Sequence, residues 1–248
     1  YAYSRNTGNE LNAAPFIYTG DGSIKEIPGF EPGLASYGPT SGEIEYMDVM
    51  DGKMKKANLR DLENNHSHEV ALLTDYTFDS GLKWTLDMKY MNAPEANYVD
   101  FGGSTITELT EEDGYTLQDG TPYAGLVEGR RTWLHLGKVQ NFLVTSELEK
   151  TFGRHQLRLG LNEWYYHLDY HSSSFQWTGS VQEYPEILTA PDGSRFRGFN
   201  ELSPEYTVGS ENKLALYLTD NWRISPKLNF YYGGRLEYYR MSADQIAH

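Results

Sequence analysis

His167, Asp169 and His171 stand at positions i, i+2 and i+4 of one stretch of the chain. On an extended strand that spacing places all three side chains on one face. Imidazole and carboxylate together suit zinc or another transition metal. Same-face neighbours on a strand lie ~7 Å apart, so one ion would need the strand to bend or a loop to complete its shell. The plainer reading is a polar strand face, because all three groups come from a single strand. His66 and His68 repeat the pattern as a pair. Glu108, Glu111, Glu112 and Asp113 form an acidic run before Gly114. Ca²⁺ takes such oxygen ligands, but the alternating aspartates of a dedicated calcium loop are missing. A solvated loop accounts for the run.

Tyr115, Tyr123, Tyr184 and Phe199 lie in segments rich in Gly, Asp and Thr. Aromatic faces beside short polar residues suit sugars or peptides, and these four are expected to include a ligand or partner contact. Aromatics in such loops serve equally well to pack the loops on one another. The segments have few hydrophobic runs, so the expectation is loops that shape a pocket without a core of their own. No Gly-x-Ser-x-Gly elbow and no phosphate-cradling Gly-Lys-Ser/Thr is present, and nothing calls for a cofactor. A β-protein acting on glycans through loop carboxylates is the enzyme alternative.

The elements that must carry these residues read clearly. Six stretches alternate apolar and polar residues, and they come as three pairs, at about 66–78 and 81–92, 134–151 and 155–171, and 212–224 and 227–241. In Leu82 to Tyr90, Leu82, Trp84, Leu86, Met88 and Tyr90 fall on one face and Lys83, Thr85, Asp87 and Lys89 on the other. Period two is the mark of a β-strand with one apolar face. Tight turns join the members of each pair, at Asp79-Ser80-Gly81, Phe152-Gly153-Arg154 and Ser225-Pro226. Long segments at about 6–65, 93–132 and 172–210 separate the pairs, and loops of that length are uncommon in compact soluble domains. The phase slips at Glu163. Either a bulge there restores the faces, or Trp164 and Tyr166 point the opposite way from Leu159 and Leu161. Asp220 is the one charge on its strand's apolar parity.

Composition narrows the class. The chain carries 35 acidic and 21 basic residues, a net charge of -14 that argues against a nucleic-acid partner. With no cysteine, it has no disulfide framework or thiolate metal site. No apolar run is long enough for a transmembrane helix. Mean hydropathy is -0.62, which does not exclude a barrel, since half of each barrel strand faces a polar lumen. Twenty tyrosines suit a membrane interface. Tyr76, Phe78, Trp84 and Trp222 gather near the turns, and Tyr90 and Tyr238 at the far ends. Long strands, asymmetric connections and two aromatic girdles predict an all-β, antiparallel, up-and-down transmembrane β-barrel. Six to seven strands make only part of one. Tyr1-Ala2-Tyr3-Ser4-Arg5 alternates too, as the end of another strand, and the chain reads as an internal piece of something larger.

One hairpin carries a resemblance. Ala215-Leu216-Tyr217-Leu218-Thr219-Asp220-Asn221-Trp222-Arg223-Ile224, the turn Ser225-Pro226-Lys227-Leu228, and Gly233-Gly234-Arg235-Leu236-Glu237-Tyr238-Tyr239 resemble barrel hairpins of TonB-dependent outer-membrane transporters. Asn141 to Tyr166, with Phe152-Gly153-Arg154-His155 at its turn, looks similar. The Gly pair directly before Arg235 departs slightly from the family pattern. The resemblance spans about 66–248. It implies a wall segment of a barrel of about 22 strands in a Gram-negative outer membrane, with a plug in the lumen that shows no pattern here. It further implies import of a scarce nutrient (carbohydrate, peptide or metal chelate), energised by TonB and, in some arrangements, assisted by a surface lipoprotein. A passive porin and an adhesin are the alternatives within the outer membrane.

Overall fold

The computed structural model describes residues 1–7, 16–27, 38–39, 42–62, 64–102, 106–182, 184–202 and 204–247. The elements are β1 (Ala2–Thr7), β2 (Ile17–Tyr18), β3 (Ile24–Lys25), β4 (Glu43–Met47), β5 (Met54–Asn58), α1 (Leu59–Leu62), β6 (Asn64–Thr77), β7 (Lys83–Gly102), β8 (Thr107–Leu109), β9 (Gly125–Phe152), β10 (His155–Ser180), β11 (Glu205–Ser225) and β12 (Leu228–Ala247). The main sheet runs β1-β6-β7-β9-β10-β11-β12, with β8 added beside β9, and every pairing is antiparallel. The sheet is open. Among the described residues no helix is long and apolar enough to cross a membrane, which has no bearing on crossing by strands.

The long strands follow from uninterrupted alternation. β9 and β10 extend over 28 and 26 residues, well beyond the ~5–6 of globular sheets. They also run past the stretches expected from the sequence. In the added residues 125–133 and 172–180, Gly125, Gly129, the serines 172–174 and the charges at 128, 130 and 131 break up the few apolar positions, so the chain pairs just as well but leaves no apolar stripe to read. Pro94 sits inside β7, opposite Lys138. Two residues on, the Ala96 amide faces the β6 side and donates to Asn65 Oδ1 at 2.7 Å. The donor missing at Pro94 therefore falls on the edge where the β6 ladder has ended at Asn92.

The tight turns are set locally. Gly81 (φ 73°) and Gly153 (φ 57°) adopt left-handed backbone, and Gly81 N–H closes its turn on Phe78 C=O at 2.8 Å. The register then decides the faces, because residues directly opposite share a face. Tyr76, Trp84, Leu148, Leu159 and Leu218 form one such row. Thr74, Leu86, Ser146, Leu161, Leu216 and Leu236 form the next. Leu72, Leu159, Leu216, Leu218 and Leu236 are all exposed. Along β6 the apolar band runs from Val70 to Phe78. About nine residues at ~3.3 Å, tilted ~40°, cover about 23 Å, which matches the ~25 Å apolar band of outer-membrane barrels.

The pairing of β10 with β9 and β11 is continuous from His155 to Ser172. There is no bulge at Glu163. Trp164 and Tyr166 therefore share the face of Arg158 and Asn162, the second of the two arrangements the sequence allowed. Glu163 stays on the apolar parity and accepts a hydrogen bond from Asn212 Nδ2. Asp220 is buried although its strand is exposed. Its Oδ2 meets His155 Nδ1 at 2.6 Å and accepts from Tyr232 Oη at 2.7 Å, while His155 stacks on Trp222 at 5.4 Å. Neighbouring strands thus supply the partners that a lone carboxylate on an apolar face requires.

The described loops have a core, contrary to the expectation of coreless loops. Ile44 and Tyr46 of β4 and Leu59 and Leu62 of α1 bury against Leu134 of β9 and Phe175 and Trp177 of β10, joined by Ile187 and Phe196. Ile44-Glu45-Tyr46 and the turn at Asp51-Gly52 make a short hairpin with β5, whose apolar side needs cover. Register parity puts Leu134, Phe175 and Trp177 on the same face as Leu148 and Leu159. The side chains that are bare lower on the strands are thus covered by protein near the long-loop end.

Candidate functional site: the inner wall and the loop end

Opposite the apolar face lies a continuous polar surface. Lys83, Thr85, Asp87 and Lys89 of β7 lie beside Thr145, Glu147 and Glu149 of β9, then Arg158, Gly160 and Asn162 of β10, Tyr217 and Thr219 of β11, and Arg235 and Glu237 of β12. Arg158 Nε meets Glu149 Oε2 at 2.8 Å, and Gln156 Nε2 donates to Glu149 Oε1 at 3.0 Å. Tyr217 Oη donates to Glu147 Oε2 at 2.8 Å. Asn162 donates to Thr145 Oγ1 at 2.9 Å and accepts from Arg235 Nη1 at 3.1 Å. Arg235 also meets Glu237 at 2.8 Å. Glu147, Glu149 and Glu237 each have a cation or a hydroxyl in contact. Further along the same face, Lys213 Nζ sits 4.6 Å from the Trp164 ring and 5.1 Å from that of Tyr239, with Glu211 at 2.7 Å.

Gly160 makes this wall possible. A Cβ added there would fall 1.9 Å from Tyr217 Cζ, because the ring lies across the glycine. Gly160→Ala is expected to push the ring aside, break the Tyr217–Glu147 bond and cost about 1–3 kcal/mol. The urea midpoint of barrel refolded in lipid vesicles reads this, and an unchanged midpoint would show that the ring is not held over Gly160.

At the other end the residues singled out from the sequence are spread apart. Tyr123 is half-buried, its hydroxyl donates to Leu126 C=O at 2.8 Å, and burial raises its pKa. Tyr115 is half-buried too, and its carbonyl accepts from Tyr123 N–H at 2.9 Å. Phe199 packs on the loop core. Tyr184 is 58% exposed, holds a left-handed backbone (φ 56°) and lines a loop cavity with Gln118, Glu186 and Arg195. The structure therefore does not bring the four aromatics into one site, and Tyr184 alone of them borders this cavity. Sequence reasoning passed over Arg195 and Gln118, which sit in polar stretches without a motif.

His167, Asp169 and His171 share the parity of Leu161 and Glu163, opposite Gln140, Lys138 and Leu136 of β9. Among the described residues, no group of three or more His, Cys, Asp or Glu side chains is placed to hold a metal ion. The loop carboxylates are used in turns. Asp113 Oδ2 accepts from Thr110 N–H at 2.7 Å and caps the turn at Glu111–Asp113. Asp192 accepts from Ser194 Oγ at 2.6 Å and Ser194 N–H at 2.8 Å. Asp119 accepts from Thr121 N–H at 2.9 Å. These bonds hold all three carboxyls below their usual pKa, so the turns keep their ties above the ordinary carboxylate range and lose them as pH falls.

The sequence matches the family described as "TonB dependent receptor-like, beta-barrel" over residues 3–246. The chain belongs to the TonB-dependent receptor family. Neither a curated protein nor a solved structure matches it significantly. The receptor's strands are therefore part of a β-barrel in a Gram-negative outer membrane. In outer-membrane barrels the apolar face meets lipid and the polar face lines the lumen, and the two faces of this sheet divide in the same way, with Arg158, Tyr217 and Arg235 on the polar one. Trp84 Nε1, on the apolar face, donates to Ser146 Oγ at 2.9 Å and so needs no water.

Proposed function

We propose that the receptor imports a scarce nutrient across the outer membrane, with energy delivered by TonB. Membership of the family carries the reading, and it matches that family over almost the whole chain. The geometry supports it in two ways. The lumen wall is polar and internally paired, as a passage surface must be if solute or protein segments are to slide along it without meeting bare charges. The strands rise beyond the lipid band into a folded loop layer where an external ligand arrives first. In this reading the short turns lie in the periplasm and the long loops outside the cell. The nutrient is a carbohydrate, a peptide or a metal chelate, met first by the loop surface that carries Tyr184. The loop layer is also where a surface lipoprotein would sit.

A passive porin would conduct without energy. Cells whose only route for a labelled nutrient is the full-length receptor should stop taking it up when a protonophore collapses the proton gradient, while retaining surface binding. Uptake that continues at the same rate contradicts energised import and favours a porin.

A further inference from the structure

We propose that the loop cavity around Arg195 and Glu186 binds a small zwitterion, a short peptide presenting both a carboxylate and an ammonium group. The cavity holds about 270 Å³. Pockets for drug-sized ligands run to roughly 300–1,000 Å³, so this one suits one or two amino-acid residues. Arg195 lines it, and among the described residues its guanidinium makes no ion pair or hydrogen bond. Its recorded contact is with the Phe196 ring at 5.4 Å, and its Nε is buried without a partner. Elsewhere in the receptor, guanidiniums such as Arg158 and Arg235 are paired with carboxylates. An unpaired planar fork in a chain of net charge -14 is matched to a ligand carboxylate.

Glu186 lines the same cavity, and its carboxylate likewise makes no ion pair among the described residues. Its backbone is pinned, with N–H donating to Ser180 Oγ at 2.8 Å and C=O accepting from Ser180 N–H at 3.0 Å. A free cation and a free anion on one cavity wall favour a ligand that carries both charges over a polyanion or a neutral sugar. Gln118 adds an amide that can donate or accept, and Ile187 and Pro185 add apolar wall for a side chain. At the rim Tyr184 is held in left-handed backbone, a conformation that bulky residues avoid and that concentrates at ligand clamps.

This assignment deepens the import reading, but its test needs no transport. The probe is dialanine, titrated by calorimetry into the detergent-solubilised full-length receptor. Two controls are dialanine amide, which lacks the carboxylate, and N-acetyl-dialanine, which lacks the ammonium. Dialanine should bind, and each control should bind about 10- to 100-fold more weakly. Arg195→Gln should erase the difference between dialanine and its amide, and Glu186→Gln the difference between dialanine and the acetylated form. Tyr184→Gly, which relieves the backbone and removes the ring, should weaken binding without lowering stability. Failure of dialanine to bind overturns the proposal, and so does an Arg195→Gln receptor that still discriminates against the amide. Tighter, Arg195-dependent binding of trigalacturonate would replace the zwitterion by a polyanionic sugar. Uptake that survives a protonophore would sink energised import and leave these binding results standing.

Discussion

Leu86→Arg is expected to destabilise the barrel in lipid vesicles by about 2–4 kcal/mol if the residue lies near the midplane. Leu86 lies in the row Thr74, Ser146, Leu161, Leu216 and Leu236, in the middle of the apolar band. A guanidinium there would have hydrocarbon on its outer side. Its nearest polar side chains are hydroxyls, which cannot neutralise it. Asp87, one residue on, faces the other way beside Thr145 and Leu73, so Asp87→Asn should change the refolding midpoint by less than about 0.5 kcal/mol. The contrast between adjacent positions is the signature of period two. If both substitutions, or neither, shift the midpoint, the faces are assigned wrongly.

Trp177→Ala is expected to cost the loop layer about 3–5 kcal/mol. Trp177 is 1% exposed and sits among Ile44, Phe175 and Ile187. Its indole donates to Thr132 Oγ1 at 2.8 Å, and the Arg130 guanidinium lies 5.4 Å from its ring. The alanine variant leaves a void, removes the indole's bond to Thr132 and strips Arg130 of its aromatic cover. Among the described residues this cluster draws on β9 and β10 only at Leu134, Leu136, Phe175 and Trp177, so the loss should be local. Amides of β4 and β5 should exchange with solvent at least tenfold faster, while those of β9 around Val144 stay protected. Uniform acceleration along β9 would mean that loop layer and barrel wall unfold as one unit.

The barrel wall was legible in the sequence because its physics is periodic. Leu82 to Tyr90 and Leu214 to Leu218 alternate over enough residues that only one face can meet lipid, and Gly81, Gly153 and Pro226 mark where the chain must reverse. The loop ends of β9 and β10, residues 125–133 and 172–180, were not legible as strands, since stretches such as Ser172, Ser173 and Ser174 carry no contrast between faces. All three are buried, because protein covers both faces there. The hairpin of β4 and β5 could have been found, as Ile44 and Tyr46 alternate with Glu43 and Glu45 before Asp51-Gly52. Its shortness and its Lys-rich return strand hid it. The phase slip at Glu163 could not be decided from one strand alone. It took the register of Phe142 with Tyr165, and of Tyr165 with Asn212, to show that the pairing never shifts.

Arg195 and Glu186 show the limit from the other side. Nothing in their sequence neighbourhood separates them from other loop charges. What singles them out is their place on one cavity wall, where neither side chain makes an ion pair among the described residues, a property of the packing beside β10's edge. There Ile187 bridges to Gly179 and Arg197 to Gln176. Those bridges continue the sheet into the loop and leave Arg195 between them, beside the cavity.

The account stands on the orientation of the wall, and labelling of intact cells tests that directly. Since the chain has no cysteine, Ser80→Cys and Asp192→Cys each introduce a single thiol. Ser80 lies in the tight turn between β6 and β7, and Asp192 in the long connection between β10 and β11. An impermeant thiol reagent should modify the cysteine at position 192 on intact cells, and the one at position 80 only after the outer membrane is permeabilised. Labelling of position 80 but not of position 192 on intact cells would contradict the account.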